Sequence, residues 1–525
     1  MKIKSSLRLR HFLLGSTLAA AIGSAGAQTT FQWNGTTDTT FGTVSNWAPT
    51  GSGLIAGPAP TGGTSNSRLN VQNANAARPL TYTANQGTTI YSGTTLRALV
   101  IGSTTNGSMI ITGGTFDSRQ TGGADIVGHQ GGTGSLTIDG GNYINTSGNT
   151  IFQLGLAGDN TVGNLTINSG TFTGRELRFG AANNLLTGTL NLNGGITTLT
   201  TMQEFDQVNG SPNVTSNVNF NGGTLRAGAA GTLITPGITN AVVQSSGAII
   251  DTNNFNTTIA KSLTAGTGSG GLTKQSAGTL TLTAANTYTG ATTVSTGTLA
   301  LSAGGLIANS STINVASAAT LSVTGMTPTT FTVGATQTLT GAGTILATGK
   351  TVVANGTLSP GNSPGTLTQD GGALRLGLNG DLNWQVHNAA GTAGSGYDTV
   401  NLVNGATLDL SLLTTSNPYN INLWSLSGLG PDVNGNATGF NNTLNYSWTL
   451  FSTGTAITGF DASDFAINTG AFNGTAGFSN ALGGGAFSVN LADGNTDIVL
   501  NFTAIPEPSS ALLGGLGMLM LLRRR

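Results

Sequence analysis

The chain has 525 residues, of which 7% are charged and 6% aromatic, while glycine fills 82 positions and cysteine none. Residues 28–505 hold 11 Lys and Arg against 18 acids, a net charge near −7 that basic clusters at both ends conceal. This speaks against a nucleic-acid partner, whose phosphates need clustered cations, and the low charge with plentiful aliphatics speaks against a disordered chain.

Lys2, Lys4, Arg8 and Arg10 precede an apolar stretch from Phe12 to Ile22, and Ala25-Gly26-Ala27 offers a small-x-small cleavage site before Gln28. The order predicts a signal peptide over 1–27, read by the secretory translocon, with Ala25, Ala27 and Gln28 marking the cut. Outside the cell a chain without cysteine has no disulfides, so length and backbone pairing must stabilise it. Residues 28–100 contain Trp33-Asn34-Gly35 and Ser45-Asn46-Trp47, two aromatics placed to cap a first coil.

Self-similarity then decides the fold expected over 101–369. Ser135-Leu136-Thr137-Ile138-Asp139-Gly140-Gly141 recurs from Asn164 to Gly170, from Thr189 to Gly195 and from Asn217 to Gly223, with an earlier copy from Met109 to Phe116. The closing glycines at 114, 141, 170, 195 and 223 lie 25 to 29 residues apart; a second series, Gly102, Gly128, Gly155 and Gly180, runs in phase. Within each unit apolar residues alternate with Thr or Asn, the period of a strand with one buried face. One unit is too short to bury that face alone, so units must stack. The expectation is an all-β chain, a right-handed parallel β-helix or close β-solenoid, with Leu136, Leu165, Leu190 and Val218 in one interior column. Asn168, Asn193 and Asn221 would stack at corners. A β-propeller is the competing architecture.

Residues 270–301 read GGLTKQSAGTLTLTAANTYTGATTVSTGTLAL. The pieces Gly270-Gly271-Leu272-Thr273-Lys274, Gly278-Thr279-Leu280-Thr281-Leu282, Asn286-Thr287-Tyr288-Thr289-Gly290 and Thr292-Thr293-Val294 resemble the autotransporter-associated β-strand repeat. Thr357 to Leu367 and the lead-in at Ile249 to Leu263 look like such proteins too. The resemblance implies a passenger-like β-helix and no activity. True autotransporters end in a translocating β-barrel with a terminal aromatic, whereas this sequence ends in arginines.

Residues 370–503 break the period and hold Trp384, Trp424 and Trp448, which suggests a β-rich cap shielding the last coil from edge-to-edge aggregation. Over 504–525, Pro506-Glu507-Pro508 is followed by an apolar run from Ala511 to Leu522 and by Arg523, Arg524 and Arg525. The prolines disfavour a helix before them, the run behind can form one, and the arginines hold its far end on the anionic cytoplasmic side. Pro508 to Leu522 as a helix spans only about 22 Å, short of the roughly 30 Å hydrocarbon core, so the anchor is weak. The arrangement resembles the PEP-CTERM sorting signal of Gram-negative bacteria, which implies removal by a membrane-embedded exosortase; a plain tail anchor is the alternative.

Chemistry is sparse between these ends. His129 follows Asp125 by four residues in a turn-rich stretch and reads as a surface-loop pair, and His387 is the other histidine of the processed chain. Without cysteine, HExxH or paired-histidine spacing a zinc site has no support, and no GxSxG elbow precedes a helix. Because many right-handed β-helices are polysaccharide lyases or hydrolases, Glu204 with Asp206, or Arg175, Glu176 and Arg178, are the enzymatic candidates. On one strand Glu176 and Arg178 would share a face and Arg175 would point away. The expectation is an exported, non-enzymatic structural or adhesive β-solenoid, with no catalytic residue, metal or cofactor and with extracellular polysaccharide as partner. A β-helical lyase or glycoside hydrolase is the alternative.

Overall fold

The computed structural model describes residues 29–33, 47–48, 67–71, 79–82, 88–93, 99–120, 123–145, 150–180, 185–205, 213–361 and 363–505. The expected cleavage residues Ala25, Ala27 and Gln28, the candidate Asp206 and the tail residues Pro506, Glu507, Pro508 and Arg523 to Arg525 lie outside them. No helix among the described residues is long and apolar enough to cross a membrane.

Strand sequences alternate as Val214–Phe220 does, with Val214, Ser216, Val218 and Phe220 inside and Thr215, Asn217 and Asn219 half-exposed. β-branched and aromatic side chains suit such a half-buried pleat. Each coil leaves its hydrogen-bonding rim to the next, and the result is a parallel β-solenoid with three faces. The first face is a 19-stranded sheet. In it Trp47–Ala48 opposes Thr29–Trp33, and Ser67–Val71, Leu99–Ser103, Ala124–His129, Ile151–Leu156 and Glu176–Phe179 follow in parallel. At about 4.8 Å per strand its length is roughly 85 Å. The parallel pairing excludes a propeller, whose blades are antiparallel.

On the second face the expected column forms in register: Leu80, Met109, Leu136, Leu165, Leu190, Val218 and Ala241 are successive partners. All seven are fully buried. Two residues along, Tyr82, Ile111, Ile138, Ile167, Leu192, Phe220 and Val243 form a second column. Each fully buried Leu or Ile here contributes about 1.5–3 kcal/mol of apolar transfer. Thr133–Asn145 and Thr161–Gly174 run around a corner and join this face to the third. There Phe116, Tyr143 and Phe172 stack, the Tyr143 and Phe172 ring centroids 4.9 Å apart and their planes nearly parallel.

The marker glycines have a steric cause. Gly102, Gly128, Gly155 and Gly180 close the first-face strands with φ of 69° to 80°, and a Cβ on Gly163 in the adjacent coil would sit 2.1 Å from the Val127 carbonyl oxygen. Gly128 meets both constraints at once, since its own Cβ would sit 2.2 Å from the Val162 carbonyl oxygen, and only glycine accepts the left-handed turn together with such an approach.

Beyond residue 370 the parallel stacking continues, later than the sequence period suggested. Thr366–Asp370 pairs with Thr399–Val403, and Asp381–Val386 pairs with Tyr419–Gly428, which pairs with Phe465–Asn468. Insertions at the corners lengthen these coils without unstacking their strands, which is why the repeat vanishes from the sequence while the ladder persists. Apart from a short antiparallel hairpin of Tyr419–Gly428 with Val433–Asn434, antiparallel closure comes at Tyr446–Thr453, which pairs with Asp497–Thr503, itself paired with Ala486–Ala492. Trp384 and Trp448 fill this end, both buried with ring centroids 5.6 Å apart, while Trp424 faces outward and donates to Asn434 Oδ1.

Candidate functional site

Among the described residues, polar chemistry falls into an outward cluster, an outward amide ladder and buried groups that include three fully buried Asp and Lys side chains. The outward cluster holds two of the sequence candidates, Glu176 and Arg178. Glu176 and Arg178 lie on one outward face of Glu176–Phe179, as spacing requires, and Arg175 is exposed at the bend before the strand. Arg178 Nε donates to Glu176 Oε1 and Nη2 to Oε2 at 3.2 Å, while Gln203 of the next coil also donates to Oε1. The Arg178 guanidinium lies over the Phe205 ring, 4.9 Å from its centroid. Glu204 instead accepts from the hydroxyls of Ser216 and Thr239, the latter at 3.1 Å. Glu204 thus stands apart from the Glu176 and Arg178 pair, in register with the buried Phe179 while Gln203 is in register with Arg178, and each carboxylate is already hydrogen-bonded.

The amide ladder runs along the second face. Asn219 Nδ2 donates to Asn191 Oδ1 at 2.8 Å, Asn191 to Thr166 Oγ1 at 3.2 Å, and Asn240 to Asn217 Oδ1 at 2.9 Å. At the corner Asn193 donates to Asn168 Oδ1 at 3.0 Å as expected, but Asn221 Oδ1 accepts the Ser246 N–H, because the strand below shifts to a shorter coil.

Asp125 and His129 are not a surface-loop pair. Both are buried on the strand Ala124–His129. The turn-like composition around them belongs to tight coil corners, and stacked coils cover both sides of the strand. Asp125 shares an interior column with Phe152, Leu177 and Met202. Its carboxylate accepts from Leu99 N at 2.9 Å, from Asn145 Nδ2 at 2.7 Å and from the Tyr143 hydroxyl. Burial lifts this carboxyl above the ordinary carboxylate range, against the opposing pull of those hydrogen bonds. His129 Nδ1 lies 3.0 Å from Ser103 Oγ. His387 Nδ1 lies 3.2 Å from Leu426 O, part-buried near the C-terminal end.

Lys274 was not singled out by sequence reasoning. It lies in the third-face column between Ile250 and Val294 and is fully buried. Its ammonium donates to Thr252 Oγ1 at 3.1 Å, Thr296 O at 2.9 Å, Gln275 O at 3.3 Å and Ser276 O. Burial pulls its pKa down to about 8, with Asp251 resisting. Burial would raise Asp251, but hydrogen bonds from Ser276, Arg226 and the Asn253 N–H hold its carboxyl below the usual range. The available signal was parity: in Leu272-Thr273-Lys274-Gln275 the lysine occupies an inward position.

Asp398 is the third such group. Burial raises its carboxyl well above the usual range despite accepting the Gly365 and Gln385 N–H groups at 2.7 and 2.8 Å. The internal void bounded by Leu339, Ile345, Val352, Leu358 and Gln369 is about 10 Å³, room for at most one water. Among the described residues no three His, Asp or Glu gather as metal ligands.

Residues 272–301 match the family model of the passenger-associated-transport-repeat. This is the segment that carries Lys274 and the strands Leu272–Gln275, Thr279–Leu282, Thr292–Val294 and Thr298–Ala303. No curated protein matches the chain. The repeat and the parallel solenoid fit an exported, surface-exposed, passenger-like β-helical protein of Gram-negative bacteria.

Proposed function

We propose that the chain is a non-enzymatic structural and adhesive rod of the cell surface or extracellular matrix, exported by the secretory translocon. Its C-terminal residues Pro506, Glu507, Pro508, Arg523, Arg524 and Arg525 serve as a sorting signal for an exosortase-type enzyme, and the apolar helix between them tethers it to the membrane until it is cut. The outward amide and hydroxyl ladder carries this reading. Its groups recur at the strand spacing along a face held rigid by the buried columns, so many weak contacts to a hydrated polysaccharide add together. The mechanism is geometric, because the rod presents polar groups at fixed intervals and needs no moving part.

Incubating protein spanning Gln28 to Thr503 with acidic and neutral polysaccharides tests it. Retention without turnover is the expected outcome. Release of reducing or unsaturated ends, lost in Glu204→Gln or Arg178→Ala, would replace this reading with a lyase or hydrolase at the outward cluster. Mass spectrometry of the C-terminus from cells tests the sorting step: an intact Arg525 on the surface protein would leave a plain anchor instead.

A further inference from the structure

The last strand of the first face, Ala486–Ala492, pairs with Asp497–Thr503 along its whole length without a bulge. Among the described residues no strand is bonded to its other side, and no backbone group from 486 to 491 bonds to any described residue outside Asp497–Thr503. It has the features that protected edges avoid. The sequence AFSVNLA carries no charge and no proline, and the strand is seven residues long and regular. Phe487 packs against Trp448, Phe478 and Phe502, Val489 is in the core and Leu491 is half-buried against it, while Ser488 and Asn490 have the opposite parity.

The strand is also self-complementary. If a second copy pairs antiparallel about Val489, Phe487 meets Leu491, Val489 meets Val489, Ser488 meets Asn490 and Ala486 meets Ala492. Apolar residues then extend one face and polar residues the other, as cross-strand pairs require. The nearest carboxylate in sequence, Asp493, falls opposite Gly485, so no like charges meet. From this pattern we propose that two copies of the chain join tail to tail through Ala486–Ala492. The joined sheet is continuous and doubles the rod to roughly 170 Å at the same strand spacing. This does not rest on the polysaccharide reading.

The absence of cysteine gives a clean test. Full chain carrying Ser488→Cys and full chain carrying Asn490→Cys are treated, in mild detergent, with a short bismaleimide, separately and mixed. Cross-linked dimer is expected several-fold more in the mixture than in either variant alone, because position 488 faces 490 and not itself. Equal cross-linking in all three samples, or none in the mixture, overturns the proposal. A second variant, Ser488→Lys with Asn490→Lys, sets lysines against each other at two exposed positions. Sedimentation should show a dimer for the unmodified chain and a monomer for this variant at unchanged circular dichroism. Association that survives both lysines resides elsewhere and also refutes the tail-to-tail dimer.

Discussion

Lys274→Met tests whether the buried ammonium of the repeat stabilises its corner. Methionine fills a similar volume in the column between Ile250 and Val294 but donates nothing. Thr296 O then loses its donor and Ser276 O is left with only a 3.5 Å approach of the Thr252 hydroxyl, which already serves other carbonyls, inside a corner packed so closely that a Cβ on Gly297 would come within 2.7 Å of Nζ. Two carbonyls left unsatisfied at about 1–2 kcal/mol each make the corner about 2–4 kcal/mol less stable. The opposing effect is relief from burying a charge, which in some proteins makes an apolar replacement neutral or stabilising. Here four acceptors and the nearby Asp251 offset the burial of the charge only in part, as the lowered pKa shows, and the loss of donors should outweigh the relief of that remainder. Hydrogen exchange suits a rod that opens locally: amides from 275 to 297 should exchange about 30- to 1,000-fold faster in the variant. Linkage adds a check. The pKa falls from 10.5 to about 8 in the fold, so between those values the unfolded chain binds more protons. This residue's contribution therefore rises as pH rises from about 8, and the gap between wild type and variant should widen towards pH 10. Unchanged or slower exchange in Lys274→Met would show that the ammonium is a burden and not a support.

Two further outcomes follow from the interior. Because burial raises the Asp125 pKa from 3.8, the folded chain holds its proton longer than the unfolded one, and stability falls as pH rises upward from about that value. Asp125→Asn should abolish that fall, with Asn145 turning its unpaired Oδ1 towards the new amide; urea midpoints measured from pH 4 to 7 would read it, and parallel slopes for both proteins would contradict it. Gly163→Ala should destabilise by about 1–3 kcal/mol, since its Cβ must push the Val127 carbonyl out of the ladder; an unchanged urea midpoint would mean that the stacking of these coils is looser than the structure has it.

Much of the fold is legible in the residues because the solenoid is a local code repeated. Leu136, Leu165, Leu190 and Val218 share a place in the repeat, and stacking brings residues at equal places together, so their column needed no tertiary information. The same reasoning set Glu176 and Arg178 on one face. It failed where polarity suggested exposure. Asp125 and His129 lie among glycines and threonines that resemble a loop, yet such residues also build tight corners, and burial there is decided by the coils above and below. It failed again past residue 370, where corner insertions stretch the period while Trp384 and its strand remain in the stack.

The amino-acid order alone pointed to stacked strand units with an apolar inside and a Thr- and Asn-rich outside, through period-two alternation and glycine spacing, and the observed parallel pairing then excluded the competing propeller. The tertiary structure decided which polar groups are inside it, Asp125, His129, Lys274 and Asp398 among them, and which described strand is left without a described partner at its end. Those outcomes depend on the register between coils some 25 residues apart, and register is a property of the stack and not of any single unit.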